Sequence, residues 1–375
     1  MIDYRQDFRR PAGIRALLSA IEQQLAVMPT PTRPWQLMEI CGGHTHAIFR
    51  HGLDRLLPDC IEFLHGPGCP VCVLPVAIID QAVSLARRPD VILCSYGDAL
   101  RVPGSQGSLL AARAAGADVR VIYAPLDLLD LARRHPHAQV VLLAIGFETT
   151  TPATAALLEA ARTQGIDNLR VLVHHLMMGP PLRALLADGG CRVDGFIGPG
   201  HVSLVTGQAP FDFIPREFGL PVVISGFEPT DLLASVLMLL RQLAQGRAEV
   251  SIQYRRAATA AGNRAAQALI QRVFEPAPST AWRGLGELPG SGWQLRPEYA
   301  AFDARALLSG GLAPELVPPT GCGCEAVLKG QIKPADCPLF GRACRPASPV
   351  GALMVSAEGA CAAWYHYRHE ESVDG

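Results

Sequence analysis

The sequence has little charge. Only 18% of its 375 residues are Asp, Glu, Lys or Arg, and they balance to a net charge of −1, which gives no footing for a polyanionic partner such as nucleic acid. Long apolar runs are missing as well. Even "VVLLAIGF" stops at Glu148, short of the roughly 18 residues that a membrane-spanning helix needs. The amino-terminal stretch "MIDYRQDFRRPAGIRALLSAIEQQL" carries acids, arginines and a proline where a secretory leader would have a continuous apolar segment and a small-residue cleavage site. These absences lead to the expectation of a soluble, cytoplasmic protein. A disordered chain is excluded from the other side, because 49% hydrophobic residues can bury a large core and the length suits about two or three domains.

What the sequence does have is sulfur. Eleven cysteines is an odd number, and in a reducing compartment clustered thiols are more often metal ligands or catalytic groups than structural disulfides.

From about residue 36 to 245 a short β-branched run, a Gly or Pro turn and an Ala/Leu-rich stretch recur, as in "VILCSYGDAL", "VRVIYAPLDLLDLARRH" and "QVVLLAIGFETTTPATAALLEAAR". Unbroken apolar strands alternating with helices point to parallel sheets covered on both faces. "LHGPGCPVC" resembles "FIGPGHVSLV", and each is followed about 28 residues later by a strand ending in Gly and an acid, "SYGDAL" and "SGFEPTD". This likeness suggests two related α/β units in tandem, 36–140 and 141–245. After residue 250 the pattern changes. "RRAATAAGNRAAQALIQRVFEPA" reads as a helix closed by Pro, and 277–350 is rich in Gly and Pro. The expected fold class is α/β, two tandem related domains with parallel sheets followed by a loop-rich α-helical domain at 246–375, with the helical segment 1–35 packing on that last domain.

Three groups of residues carry chemistry. In the tail, Cys324, Cys337, Cys344 and Cys361 are separated by 12, 6 and 16 residues, with Cys322 as a spare. Such wide, uneven spacing suits an iron–sulfur cubane better than zinc, whose ribbons use two tight knuckles; buried free thiols are the bland alternative. In "EICGGHTH", Cys41, His44 and His46 follow the short strand "WQLMEI", at the sheet edge where open α/β proteins hold ligands. One thiolate and two imidazoles can bind a transition metal, or a thiolate can be served by a proton acceptor; a turn with satisfied histidines is the alternative. Cys69 and Cys72 in "GPGCPVC" form a C-x-x-C pair with no second knuckle nearby, so redox cycling leads over half a zinc site. Glu148, Thr149 and Thr150 of "GFETTTP", His174 and His175, and His201 and Ser203 of "GPGHVS" sit at further expected strand ends. For the threonines, helix capping ahead of Pro152 is a sufficient explanation.

Together, "CGGHTH", "GPGCPVC", "GFETT", "GPGHVS" and the C-x12-C-x6-C-x16-C tail resemble the HypD family of hydrogenase maturation factors over nearly the whole chain. The resemblance implies two α/β domains plus an iron–sulfur domain, acting as the scaffold on which the Fe(CN)2CO group of NiFe-hydrogenase is assembled. It implies work with the small chaperone HypC and with HypE, which supplies cyanide. Carried to this chain, Cys41 would ligate iron together with a HypC thiolate. Cys69 and Cys72 would be redox-active, and Cys324, Cys337, Cys344 and Cys361 would hold a 4Fe–4S cluster. From position alone, His44 and His46 are expected to move protons or orient Cys41, and Glu148 with the adjacent threonines to stand near the cyanide nitrogens as hydrogen-bond partners. The resemblance assigns no role to Cys60, Cys94, Cys191 or Cys322. Two rival readings are a stand-alone iron–sulfur thiol–disulfide oxidoreductase and a zinc-stabilised binding module.

Overall fold

A computed structural model describes residues 7–190, 192–308 and 321–368. Cys191 and the outer parts of the expected 1–35 and 246–375 segments lie outside those residues. The frame is nine parallel strands: β1 (Trp35–Glu39), β2 (Ile61–His65), β3 (Val91–Ser95), β4 (Val119–Val121), β5 (Gln139–Gly146), β6 (Leu169–His175), β7 (Gly195–Pro199), β8 (Val222–Ser225) and β9 (Val250–Ile252). They form a five-stranded sheet in the order β2-β1-β7-β8-β9 and a four-stranded sheet in the order β4-β3-β5-β6. The α/β class with two parallel sheets is therefore as expected.

The apolar runs behave as strands covered on both faces should. Val140 to Leu143 in β5 are wholly buried, and their side chains alternate between two separate clusters on opposite sides of the sheet. Numbered in their own chain order, both sheets follow the pattern 2-1-3-4, so the relatedness lies in topology. The likeness between 66–68 and 198–200 has another cause. β2 and β7 flank β1 in one sheet, and both turns leave the same carboxyl edge.

The expected boundary at 140/141 runs through β5, and β9 of the first sheet lies beyond the expected boundary at 245/246. The amino-terminal helix also differs from expectation. Pro11–Ala26 lays Ile14, Leu17, Leu18, Ile21 and Leu25, a stripe at helical spacing, against the helix Pro229–Ala244 over the first sheet. The element that the tail does supply to this sheet is its last helix, Ala360–Arg368, which packs on Gly42–Arg50 directly after Cys41. Between β9 and the tail stand the helix Arg264–Val273, capped by the Asn263 side chain, and two small antiparallel hairpin ladders.

In a doubly wound sheet, ligands collect at the carboxyl ends of the strands where the winding reverses. In the first sheet that point lies between β1 and β7, whose ends lead into Cys41 and into Gly200-His201. In the second it lies between β3 and β5, whose ends lead into Asp98 and Glu148.

Candidate functional site

Cys41 is the extended N-cap residue of Gly42–Arg50, which places its thiol at the end of β1 and the start of a helix. Behind it Glu39 is wholly buried and fully engaged: it accepts from the Cys41 N–H at 3.0 Å, from His65 Nδ1 at 2.8 Å and from the Thr45 hydroxyl. Burial, Glu358 and Glu39 push the Cys41 thiol up to about 12, against the pull of the Gly43 and His44 N–H groups. A bound metal ion would reverse this by taking the thiolate outright. His44 is buried, donates from Nε2 to Ser225 O at 3.3 Å, and leaves Nδ1 without a partner. Its ring meets Phe227, which in turn stacks on His201 at 3.9 Å. His46 donates from Nδ1 to Ala357 O at 3.3 Å.

The C-x-x-C pair lies beside this group. The Gly42 N–H donates to Gly68 O at 3.0 Å, and any side chain at Gly68 would overlap the Cys41 backbone, so this glycine is what lets the two turns touch. Cys69 and Cys72 are joined as a disulfide and are 4% and 1% exposed.

A five-residue stretch of the tail, Val355 to Gly359, ties these parts to the second sheet. Ser356 Oγ donates to Asp98 Oδ2 at 2.7 Å, and Arg101 Nη2 donates to Val355 O at 2.6 Å. Ala357 holds His46, Glu358 presses on Gly42, and Gly359 lies close against the Leu353 carbonyl and the Cys72 sulfur. Two residues further on is Cys361.

The tail thiols gather nearby. Cys322 and Cys324 have their sulfurs 3.1 Å apart, and both press on Gly351, where a side chain would displace them. The Gly323 N–H donates to Cys337 Sγ at 3.3 Å and the Val350 N–H to Cys344 Sγ at 3.4 Å. The contact between the two sulfurs lowers Cys322 to about 6 and, with burial, raises Cys324, while burial and the neighbouring cysteines raise Cys361. Among the described residues, no three His, Cys, Asp or Glu side chains converge closely enough to enclose one metal ion.

The remaining expected residues divide. His201 joins the Cys41 group through Phe227. Glu148 is buried at the end of β5, accepts from the Met178 N–H at 3.0 Å, and has its second oxygen unpartnered. Capping does not account for the threonines after it: Thr150 makes no side-chain capping bond and instead donates to Ile145 O and Phe147 O. Its hydroxyl fills the space beside Gly146, which has φ 126°. His175 Nε2 pairs with Thr154 Oγ1 at 2.9 Å, and His174 faces a cavity of about 390 Å³ lined also by Gln81 and Trp293. Sequence reasoning missed Glu39, His65, Asp98, Ser356 and Glu358. The first two stand at the ends of β1 and β2, immediately before the motifs; the last two precede Cys361 in "SAEGAC".

Burial of neutral rings gives the chain a defined acid response. His44 and His175 are held down to about 4 and His174 to about 3, chiefly by burial. An unfolded histidine takes its proton near pH 6.5, so below that pH the unfolded chain binds more protons at these three sites, and stability is lost as pH falls towards 4. Glu148 opposes this. Burial raises it to about 7, so between about 4.5 and 7 the folded chain holds its proton and the unfolded chain does not. The three rings outnumber Glu148, so unfolding takes up protons on balance and the folded chain loses stability as the pH falls below about 6.5. The apparent Tm is expected to drop steadily from pH 6.5 to 5; a flat profile would mean that these rings carry charge in the folded chain.

A cysteine at a sheet switch point, a buried disulfide in the adjoining turn and a five-thiol tail define a cysteine-centred α/β protein. The family model HypD, described as the hydrogenase formation hypA family, matches residues 13–368. The hydrogenase maturation factor HypD of Rhodobacter capsulatus is 51% identical over 368 residues, covering 97% of this chain and 98% of the relative. The hydrogenase expression/formation protein HupD of Azotobacter chroococcum is 50% identical over 381 residues, with 99% and 98% covered. HypD of Escherichia coli is 48% identical over 370 residues, with 98% of each chain covered. The chain belongs to the HypD family and functions in hydrogenase maturation.

Proposed function

We propose that the chain is the scaffold on which an iron ion, held as cargo, receives the ligands of the Fe(CN)2CO group. In this reading Cys41 anchors the iron from one side and a thiolate of a HypC-type chaperone from the other, with HypE as the cyanide donor. Soft thiolates suit low-spin iron of this kind. Glu39 acts as the positioning group, fixing the Cys41 backbone and the His65 ring. His44 offers Nδ1 as a proton acceptor and His46 orients the loop above the thiol. Glu148 stands at the other switch point as a neutral hydrogen-bond donor below about pH 7.

The observation that carries the reading is the stretch Val355 to Gly359, which touches the Cys41 helix, the Cys72 sulfur and the end of β3, and leads within two residues to Cys361. Cleaving a sulfur–cyanide bond into a thiolate and CN− takes two electrons, the number that the Cys69 and Cys72 thiols release on closing to a disulfide with loss of two protons. Reopening the disulfide takes two electrons and two protons.

The tail fits a 4Fe–4S cluster in its donor set: soft thiols, two of them with backbone N–H groups aimed at the sulfur, and glycines where a side chain would intrude. Cys324, Cys337, Cys344 and Cys361 would hold it, with Cys322 the spare. When bound, such a cluster supplies electrons one at a time. The near-complete burial of Cys69 and Cys72 weighs against a stand-alone oxidoreductase, which would need to present a sulfur to free substrates.

The test is composition. Anaerobically purified chain is expected to be brown with about four iron and four acid-labile sulfide per chain, and its complex with the chaperone is expected to show infrared bands of metal-bound CN and CO. Colourless protein with one zinc would sink the reading.

A further inference from the structure

β6 is the outer strand of the second sheet, and later parts of the chain cover its free edge at two points, Asp303 against Val171 and Gly292 against Leu176. The residues between those points, Leu172 to His175, line the cavity of about 390 Å³ that His174 faces. The helix Val76–Ala86 and the strand Trp293–Leu295 supply further walls. Three polar atoms of the lining side chains have no hydrogen-bond partner: Gln81 Oε1, His174 Nε2 and Trp293 Nε1. Gln81 is 9% exposed and His174 5%, so these are buried groups, and buried polar groups are as a rule paired. The backbone adds to them. Val140 N–H donates to Asn168 O and Leu176 N–H to Gly146 O, so even-numbered residues of β6 face β5 and odd-numbered ones turn N–H and C=O to the free edge. Val173, which lines the cavity between the two covered points, is one of the latter.

The chemistry of the lining is polar and uncharged. Burial keeps the His174 ring neutral, and the charged residues at the cavity are engaged: Glu287 accepts from the Ser279 hydroxyl at 2.6 Å and Arg305 is paired with Asp303. An ion entering here would leave water without gaining a free counter-charge. Pro75, Ile78 and Leu172 give the cavity apolar wall as well. We propose that this cavity is a binding site for a small uncharged carboxamide, whose N–H group donates to Gln81 Oε1 and whose carbonyl accepts from the Trp293 indole. An amide offers a donor and an acceptor side by side without charge, the same pair that Val173 presents at the open edge. The site lies apart from the three cysteine groups, and it rests on neither the iron nor the cluster reading.

The test is ligand-observed nuclear magnetic resonance on the full chain, with benzamide as the probe. Benzamide is expected to bind with a Kd of about 1 mM or less. Benzoate has the same shape with a charge, and acetophenone keeps the carbonyl without the donor; each is expected to bind at least about tenfold more weakly. Gln81→Leu and Trp293→Phe are each expected to weaken benzamide about fivefold, the effect of one lost hydrogen bond. If Gln81→Leu does not fold, Trp293→Phe decides, since it keeps an aromatic ring in the wall and removes only the donor side of the indole. No benzamide binding at about ten times the expected Kd would mean that the cavity holds water alone, and overturns the proposal. Benzoate or acetophenone binding as tightly as benzamide overturns it too, as does benzamide binding unmoved in the Trp293→Phe chain.

Discussion

Cys41→Ala is expected to remove the infrared bands of metal-bound CN and CO from the complex with the chaperone and to reduce hydrogenase maturation to background, while the brown colour and the iron and sulfide of the tail stay at wild-type levels. The large effect on one property and the small effect on the other follow from how the residue is held. The Cys41 backbone N–H bonds to Glu39 whatever the side chain, Gly42 N–H still donates to Gly68 O, and the helix from Gly42 keeps its start. What is lost is one half-buried sulfur, so the stability cost is about 1 kcal/mol or less. The anchoring role loses its thiolate outright, because an alanine methyl offers iron no donor atom. Retention of the CN and CO bands by the Ala variant would show that iron is anchored elsewhere. Loss of both bands and tail iron would show that the mutation acts on the fold.

How much of this could be read from the sequence depends on the range of the interaction. Strand identity is local: "VVLLAI" reads as a buried strand and is one, since an apolar run of that length needs cover on both faces. Position at a sheet edge is also local, which is why Cys41, Glu148 and His201 all fall at strand ends as expected. Pairing between sheets is not local. That β1 and β2 join β7 to β9, with β3 to β6 set apart, depends on contacts across more than a hundred residues, and no spacing records them. The two Gly-Pro-Gly turns misled for the same reason, since similar turns arise wherever strands must leave one crowded edge. Glu39 and His65 were invisible because each is ordinary in its own strand and gains meaning only when β1 and β2 pair in register, Glu39 opposite His65. Glu358 lies more than three hundred residues from Gly42, the residue it presses on.

Cys72→Ala tests whether the neighbouring sulfur pair works or merely braces the turn. Iron and sulfide in the tail are expected to match the wild type, because the tail cysteines come from other segments and Gly359 only loses a neighbour when the Cys72 sulfur goes. Maturation is expected to stop, since one thiol cannot release the two electrons that a closing disulfide provides. Iron without its full set of CN ligands is expected to remain on the complex, which separates this variant from Cys41→Ala, where no anchored iron remains. Removing a disulfide that closes so short a loop changes little chain entropy, and the buried sulfur leaves a small cavity, so Tm is expected to fall by only a few degrees. A bracing role predicts the reverse pairing of results: a large fall in Tm with maturation restored at low temperature. Cys69→Ala distinguishes the two sulfurs. The Cys69 sulfur accepts the Cys72 N–H at 3.3 Å, so its loss also frees a backbone donor and is expected to cost more stability than the loss of Cys72, with the same arrest of maturation. If either variant matures hydrogenase at the wild-type rate, the electrons come from another source and the pair is structural.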